Sequence, residues 1–361
     1  MQDKTAEQAQ MLANRLQKRF RHLKKWAQRV NAGAFRIYDR DIPEIPLVLD
    51  FYGGCGAASD AAVCGALYKR PYEKDETDET QWLCAMKESA AAALEIKPEH
   101  IFLKQREKQK GLSQYEKISS SRFEKIVKEA GLSFKVNLTG YLDTGLFIDR
   151  RLLRAMVREE AKDKKVLNLF SYTGSFSVYA ASGGAVSTDS VDLSNTYLNW
   201  AKENFLLNGF EAELKKKNIT VNCANSHEQI NKRENRAHRL IRADVIEFID
   251  NAIKENTRWD IIIVDPPAFS NSKKMTNDFD LNRDLTELLY RCLKLLAPGG
   301  KIFLSVNLHR KAPAARELED SLKNQSENVR VTDLCGKITD EDFKGRKTPK
   351  AFLITDTFPL D

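Results

Sequence analysis

Three aspartates, a turn with one glycine and a pair of prolines have residue types and spacing suited to chemistry. A mostly apolar run, Val166 to Phe170, predicts a buried parallel strand, with a tight turn over Ser171 to Gly174 and a helix over Ser175 to Ala181. Asp192 ends a second apolar-leaning run, Ala185 to Val191, where a carboxylate can accept bonds from both hydroxyls of a ribose. A third run, Arg239 to Ala243, ends at Asp244. A fourth, Trp259 to Val264, closes with four β-branched residues and leads into Asp265, Pro266 and Pro267. Neither proline can donate to a ladder, so the strand must leave the sheet there. In a doubly wound sheet ligands sit beyond the carboxyl ends of the strands, and all four features fall on that edge. Any one of these aspartates could instead be a helix N-cap, a role Asp244 could fill before Val245.

The turn separates the nucleoside cofactors. A dinucleotide site needs three glycines, for the turn, for approach to pyrophosphate and for helix packing. The loop Ser171-Tyr172-Thr173-Gly174 has one. S-adenosylmethionine carries no phosphate, and its carboxylate needs only backbone N–H groups and the positive end of a helix. The expected cofactor is therefore S-adenosylmethionine. Asp192 would hold ribose, Leu193 would pack on adenine, and Asp244 would accept the adenine amino group. Asp265 to Phe269 would line the wall where methyl donor meets acceptor.

The elements that must position these residues alternate strand and helix five times after about residue 141. This pattern predicts an α/β fold, a doubly wound, mostly parallel Rossmann-like sheet whose last two strands form an antiparallel edge pair. A smaller α+β domain is expected over residues 31–140, behind a basic amphipathic helix over 1–30, with an inserted polar loop over 215–236. That helix sets Leu12, Leu16, Phe20, Leu23 and Trp26 at helical spacing against Arg15, Lys18, Arg19, Arg21, Lys24, Lys25 and Arg29. A second basic stretch, Lys104 to Lys110, precedes Tyr115, which could stack on a base. Residues 74–80 read as an acidic loop before a helix over Trp82 to Leu94.

The chain has 361 residues with 58 basic and 51 acidic side chains, a net charge of +7 that favours a polyanionic partner only where it is clustered. Six cysteines lack C-x-x-C spacing and the five histidines do not fall among them, so no metal is expected. The polar start Met1 to Gln10 is no secretory signal and no apolar run reaches membrane-span length, which predicts a soluble cytoplasmic protein.

The runs L-D-T-G-L-F-I-D-R-R, N-L-F-S-Y-T-G-S, V-D-L-S-N-T-Y-L-N-W-A-K-E-N-F-L-L-N-G, H-R-L-I-R-A-D and D-P-P-A-F-S-N-S-K-K-M resemble the C-terminal half of the bacterial RlmKL family. The similarity extends upstream to A-N-R-L-Q-K-R-F-R-H-L-K-K-W, R-I-Y-D-R-D-I-P-E and L-K-Q-R-E-K-Q-K-G, nearly the whole chain. The resemblance implies a class I S-adenosylmethionine-dependent methyltransferase of guanine N7 in 23S ribosomal RNA, behind a small RNA-facing domain. It implies cofactor contacts at Asn168, Phe170, Tyr172, Thr173, Gly174, Asp192, Leu193, Asp244 and Asp265, with Asp149 and Arg151 near the methionine end. Asp265, Pro266, Pro267 and Phe269 would form the catalytic wall. The resemblance does not extend to the family's partner half, and the 215–236 insert is longer than the resemblance implies. A methyltransferase of another RNA base, a protein or a small molecule, and a non-catalytic RNA-binding protein, are the alternative readings.

Overall fold

The computed structural model of the chain describes residues 2–53, 60–68, 75–105, 123–215, 237–270, 279–308, 312–324 and 326–356. They fall into two compact units. Unit 1 comprises Met1–Ile148 with Asp340–Arg346, and unit 2 comprises Asp149–Thr339 with Lys347–Asp361.

Unit 1 opens with α1 (Gln2–Val30), whose Leu12, Leu16, Leu23 and Trp26 are buried while Lys18, Arg21, Lys25 and Arg29 are exposed. It continues through β1 (Ala34–Asp39), β2 (Leu47–Tyr52), β3 (Ala62–Leu67), α2 (Glu76–Leu94) and β4 (Ile101–Gln105). The sheet order is β1-β2-β3-β4, antiparallel except for β3 with β4, since the intervening α2 supplies the crossover that a parallel pair requires. The expected acidic loop is instead the first turn of α2. The Asp75 carboxylate caps it by accepting the Thr77 N–H at 2.9 Å, and Glu76, Asp78 and Glu79 complement the positive helix end. A hairpin, β5 (Glu124–Glu129) and β6 (Leu132–Asn137), turns through Ala130 and Gly131, both at positive φ as a primed turn demands.

Two segments join unit 1 across the expected boundaries. Residues 141–148 belong to unit 1: the Asn137 N–H donates to Thr144 O at 2.9 Å, and the Tyr52 and Thr144 hydroxyls bond at 2.9 Å. Residues 340–346 join it as well. The Arg36 N–H donates to the Asp342 carboxylate at 3.0 Å, Arg346 pairs with Asp41 at 3.1 Å, and the Arg36 guanidinium lies over the buried Phe343 ring. Desolvation at this cluster lowers the pKa of Arg346, and of Arg19, against the opposing field of Asp41.

Unit 2 runs α3 (Arg151–Glu160), β7 (Lys165–Leu169), α4 (Ser175–Ser182), β8 (Ser187–Asp192), α5 (Asn195–Leu206), β9 (Glu213–Lys215) and β10 (Ala237–Arg242). Then come α6 (Val245–Lys254), β11 (Trp259–Val264), β12 (Phe269–Ser270), β13 (Phe279–Asp280), α7 (Leu281–Lys294), β14 (Leu296–Val306), α8 (Ala315–Lys323), β15 (Val329–Asp333), α9 (Cys335–Ile338) and β16 (Lys350–Asp356). The sheet order is β15-β16-β14-β11-β7-β8-β10-β9, with only β16 antiparallel to its neighbours. Lys215, expected in the insert, ends the edge strand β9; residues 216–236 lie outside the described residues.

Both faces of the sheet are covered, which explains why β11 has no polar alternation over Ile261 to Val264. Ile262 and Val264 pack with Leu285, Leu288 and Leu289 of α7, whereas Ile261 and Ile263 pack with Leu153 and Val157 of α3 and Phe176 of α4. Strand order reverses at β7, where β8 lies on one side and β11 on the other. The carboxyl ends of β7, β8 and β11 therefore meet at a topological switch point, where open α/β sheets bind ligands.

Candidate active site

The loop leaving β7 is shaped by backbone that side chains seldom adopt. Phe170 and Tyr172 stand at φ of 56° and 50°, and Gly174 at 73°. A Cβ on Gly174 would lie 2.8 Å from the Ala201 Cβ, so the glycine serves a left-handed turn and the close approach of α5. No phosphate is needed to explain it. Helix α4 opens at Gly174 without a side-chain cap, so its leading N–H groups suit a ligand carboxylate.

Asp192, at the end of β8, faces the same loop. Its Oδ2 accepts the Tyr172 N–H at 2.9 Å and its Oδ1 accepts the Ser194 N–H at 2.8 Å. Burial pushes the Asp192 carboxyl up to about 6 in spite of the lowering effect of the Ser194, Tyr172 and Leu193 N–H groups. Further hydroxyl donors would favour its charged form, which fits a ribose diol. Leu193 beside it is half-buried, and the Tyr172 ring meets Tyr197 edge-on at 4.5 Å between centroids. Thr173 is fully buried and its carbonyl accepts the Asn204 side-chain amide at 2.9 Å. Asp244 caps α6, its Oδ1 accepting the Ile246 and Glu247 N–H groups at 2.9 and 3.1 Å. The N-cap reading of this residue is thereby realised, and among the described residues no bond engages its Oδ2.

Asn168, expected to contact cofactor, is 1% exposed within β7 and donates to Ser177 Oγ at 2.9 Å, which in turn accepts from Ser190 Oγ at 2.7 Å. The pleat turns it into the sheet-to-α4 packing, where it supports the loop from beneath.

At the end of β11, Asp265 Oδ1 accepts from Arg150 Nη2 at 3.2 Å, while Arg150 Nη1 donates to Asp149 Oδ2 at 2.8 Å. Burial works against the Arg150 charge, yet Asp149 and Asp265 outweigh it and leave its pKa raised. Asp149 thus touches Arg150, and Arg151, which opens α3, is buried. Pro266 is buried, Pro267 half-buried, and Phe269 is 41% exposed on β12. Phe269 pairs with Asp280 of β13, and the neighbouring Phe279 ring packs on Phe170 at 5.5 Å, tying this arm to the β7 loop. Sequence reading missed Arg150 and Phe279. Arg150 lies between Asp149 and Arg151 in a charged run that reads as a solvated helix start, and only the fold brings Asp265 to it.

Among the described residues, no group of three His, Cys, Asp or Glu side chains is arranged to hold a metal ion, and no helix is long and apolar enough to cross a membrane. Of the two basic stretches read from the sequence, Lys104 lies in β4 and donates to the Tyr141 carbonyl at 2.6 Å, and Arg15 of α1 pairs with Asp41 at 2.7 Å. These two cations are committed within unit 1. Tyr115 and residues 106–110 lie outside the described residues.

The family profile described as S-adenosylmethionine-dependent methyltransferase matches residues 60–232. The chain is 42% identical over 342 residues to ribosomal RNA large subunit methyltransferase K of Neisseria meningitidis serogroup B, covering 95% of this chain and 86% of that protein. It is 42% identical over 305 residues to ribosomal RNA large subunit methyltransferase K/L of Hahella chejuensis, covering 84% of this chain but only 38% of that longer protein. A solved methyltransferase in complex with S-adenosylhomocysteine shares the fold, with a TM-score of 0.66 at 22% identity, over 96% of this chain and 81% of that one. With identity sustained across most of both sequences, this chain belongs to the ribosomal RNA large subunit methyltransferase K family of S-adenosylmethionine-dependent enzymes.

Proposed function

We propose that this protein methylates N7 of a guanine in 23S ribosomal RNA, in the cytoplasm, with the cofactor laid across the ends of β7, β8 and β11. When bound, S-adenosylmethionine supplies an electrophilic methyl group on its sulfonium. Asp192 would accept the ribose hydroxyls, Leu193 would pack on the adenine, and Asp244 Oδ2 would take the adenine amino group. The loop Phe170 to Gly174 and the start of α4 would seat the amino-acid end.

The observation that carries the N7 reading is the makeup of the wall from Asp265 to Phe269. Its one ionisable side chain is committed to an ion pair with Arg150, its prolines offer no donor, and no histidine or cysteine stands in the segment. Guanine N7 is a lone-pair acceptor of hydrogen bonds with no proton to lose, so its methylation asks for orientation rather than a base. A cytosine-C5 reaction would need a cysteine nucleophile there. The exposed Phe269 ring offers a face on which a guanine can stack.

The experiment is to methylate deproteinised large-subunit ribosomal RNA and subunit particles with the purified protein, then apply reduction followed by aniline. N7 methylation leaves a positively charged imidazole ring and gives a strand break at the modified guanine. RNA that takes up methyl groups but resists cleavage, and digests to an exocyclic N-methyl or C5-methyl base, refutes the N7 assignment.

A further inference from the structure

We infer that Arg150 is a positioning residue for methyl transfer, acting through Asp265 and the proline turn that follows it. The inference rests on the methyltransferase reading of this edge. Its geometric basis is a single guanidinium, 8% exposed, bridging two carboxylates distant in sequence within unit 2: Asp149 at its first residue and Asp265 at the exit of β11. Arg150 is also the N-cap residue of α3, with backbone angles of −97° and 3°, so α3 fixes where the guanidinium starts. One helix start is thereby tied to the strand end that forms the transfer wall.

The physics favours a positioning role over simple glue. A guanidinium is planar, and its Nη1 and Nη2 donate along fixed directions, so binding Asp149 with one and Asp265 with the other sets the attitude of both carboxylates. Asp265 is followed at once by two prolines whose φ angles are locked, which transmits the strand-end orientation to Ala268 and Phe269. Ala268 O accepts the Leu281 N–H at 3.1 Å, so the far end of this wall is anchored to α7. A rigid turn clamped at one end by α7 and at the other by Arg150 holds the Phe269 face at a fixed distance from the β7 loop. Reaction of a ring nitrogen with no proton to lose depends on such fixed geometry, and small displacements of the reacting groups are costly.

The test is a cycle in which Arg150→Met and Arg150→Lys are each made in the parent and in an Asp265→Asn background. Single-turnover methyl transfer is measured at saturating cofactor and RNA, alongside calorimetric affinity for S-adenosylhomocysteine and thermal melting. In the parent, Arg150→Met should slow transfer about 100-fold and Arg150→Lys about tenfold, with S-adenosylhomocysteine affinity changed less than about threefold. In the Asp265→Asn background neither substitution should slow transfer further, because the partner through which Arg150 acts is already altered. If Arg150→Met does not fold, the lysine variant decides by the same two comparisons. Parental rates in Arg150→Lys, rate losses that multiply fully with Asp265→Asn, or losses of rate and affinity in equal proportion would each overturn the inference. A product other than N7-methylguanine would sink the acceptor assignment while leaving this cycle to be read on its own.

Discussion

Lowering the pH from 7 to 5 should weaken cofactor binding through Asp192, by an amount that can be worked from its surroundings. Burial raises this carboxyl from 3.8 to about 6 in the ligand-free protein, which at about 1.4 kcal/mol per pKa unit corresponds to roughly 3 kcal/mol. Since the folded value lies above the unfolded one, this contribution to stability is fully present below about pH 4 and is lost as pH rises through about 6. At neutral pH the fold therefore carries a charged carboxylate whose desolvation is only partly offset by its backbone N–H donors. Ribose hydroxyls are further donors, so binding should pull its pKa down and release a proton. Affinity for S-adenosylhomocysteine should fall about tenfold between pH 7 and pH 5. Calorimetry in two buffers of different ionisation enthalpy should record a release approaching one proton at pH 5 and almost none at pH 8. Asp192→Ala should bind more weakly at pH 7, by roughly 1.5 to 3 kcal/mol, and lose the pH dependence. A parent protein whose affinity is flat from pH 5 to 7, or an alanine variant that keeps the parental profile, would refute the assignment of Asp192 to ribose.

Other outcomes follow from the same geometry. Replacing the exposed Lys18, Arg21 and Lys25 of α1 by alanine should weaken RNA binding and reduce the slope of log affinity against log salt by roughly 2, leaving cofactor affinity alone; an unchanged slope would make them an ordinary solvated face. Gly174→Ala should lower the free energy of unfolding in urea by roughly 2 to 4 kcal/mol, from left-handed strain and the contact with Ala201, and a change under about 0.5 kcal/mol would contradict that packing. Burial pushes the Cys292 thiol up to about 12, so iodoacetamide at pH 8 should label the exposed Cys84 and spare Cys292 in the native protein. Peptide mapping reads this directly. Transfer should survive Cys84 modification.

The sheet edge that gathers the candidate site residues was legible because strand-end residues announce themselves locally. Gly174, Asp192 and Asp265 each follow an apolar run, and a run that stops at Asp or Gly marks where a strand exits. Direction within the edge was less legible. Asn168 reads as part of the loop motif, but the two-residue period of β7 points it inward, and the pairing register that decides this is not a local property. Lys104 looks like the start of a basic loop until β4 pairs with β3 and places its ammonium on backbone carbonyls. The β5 strand was hidden because its residues are mostly charged and only Val127 and Glu129 are buried. Arg150 and Phe279 depend on contacts between distant parts of the chain. No window of sequence contains both members of either pair.

The assignment of Asp340–Arg346 to unit 1 bears on the order in which the protein can be made. A ribosome releases residues 1–148 well before residue 340, and domains ordinarily fold as they emerge. This one must wait. Until the late segment arrives, Arg36 lacks the Phe343 ring and the Asp342 carboxylate that fill its surroundings, and Asp41 lacks Arg346. Unit 1 then emerges with part of its charge cluster unanswered, and unit 2 has nearly all of its sheet synthesised before its neighbour can be completed. A stop codon or proteolytic cut just before residue 340 would damage the N-terminal unit as well as the last strand, β16. For the same reason a fragment ending at residue 148 is an incomplete fold.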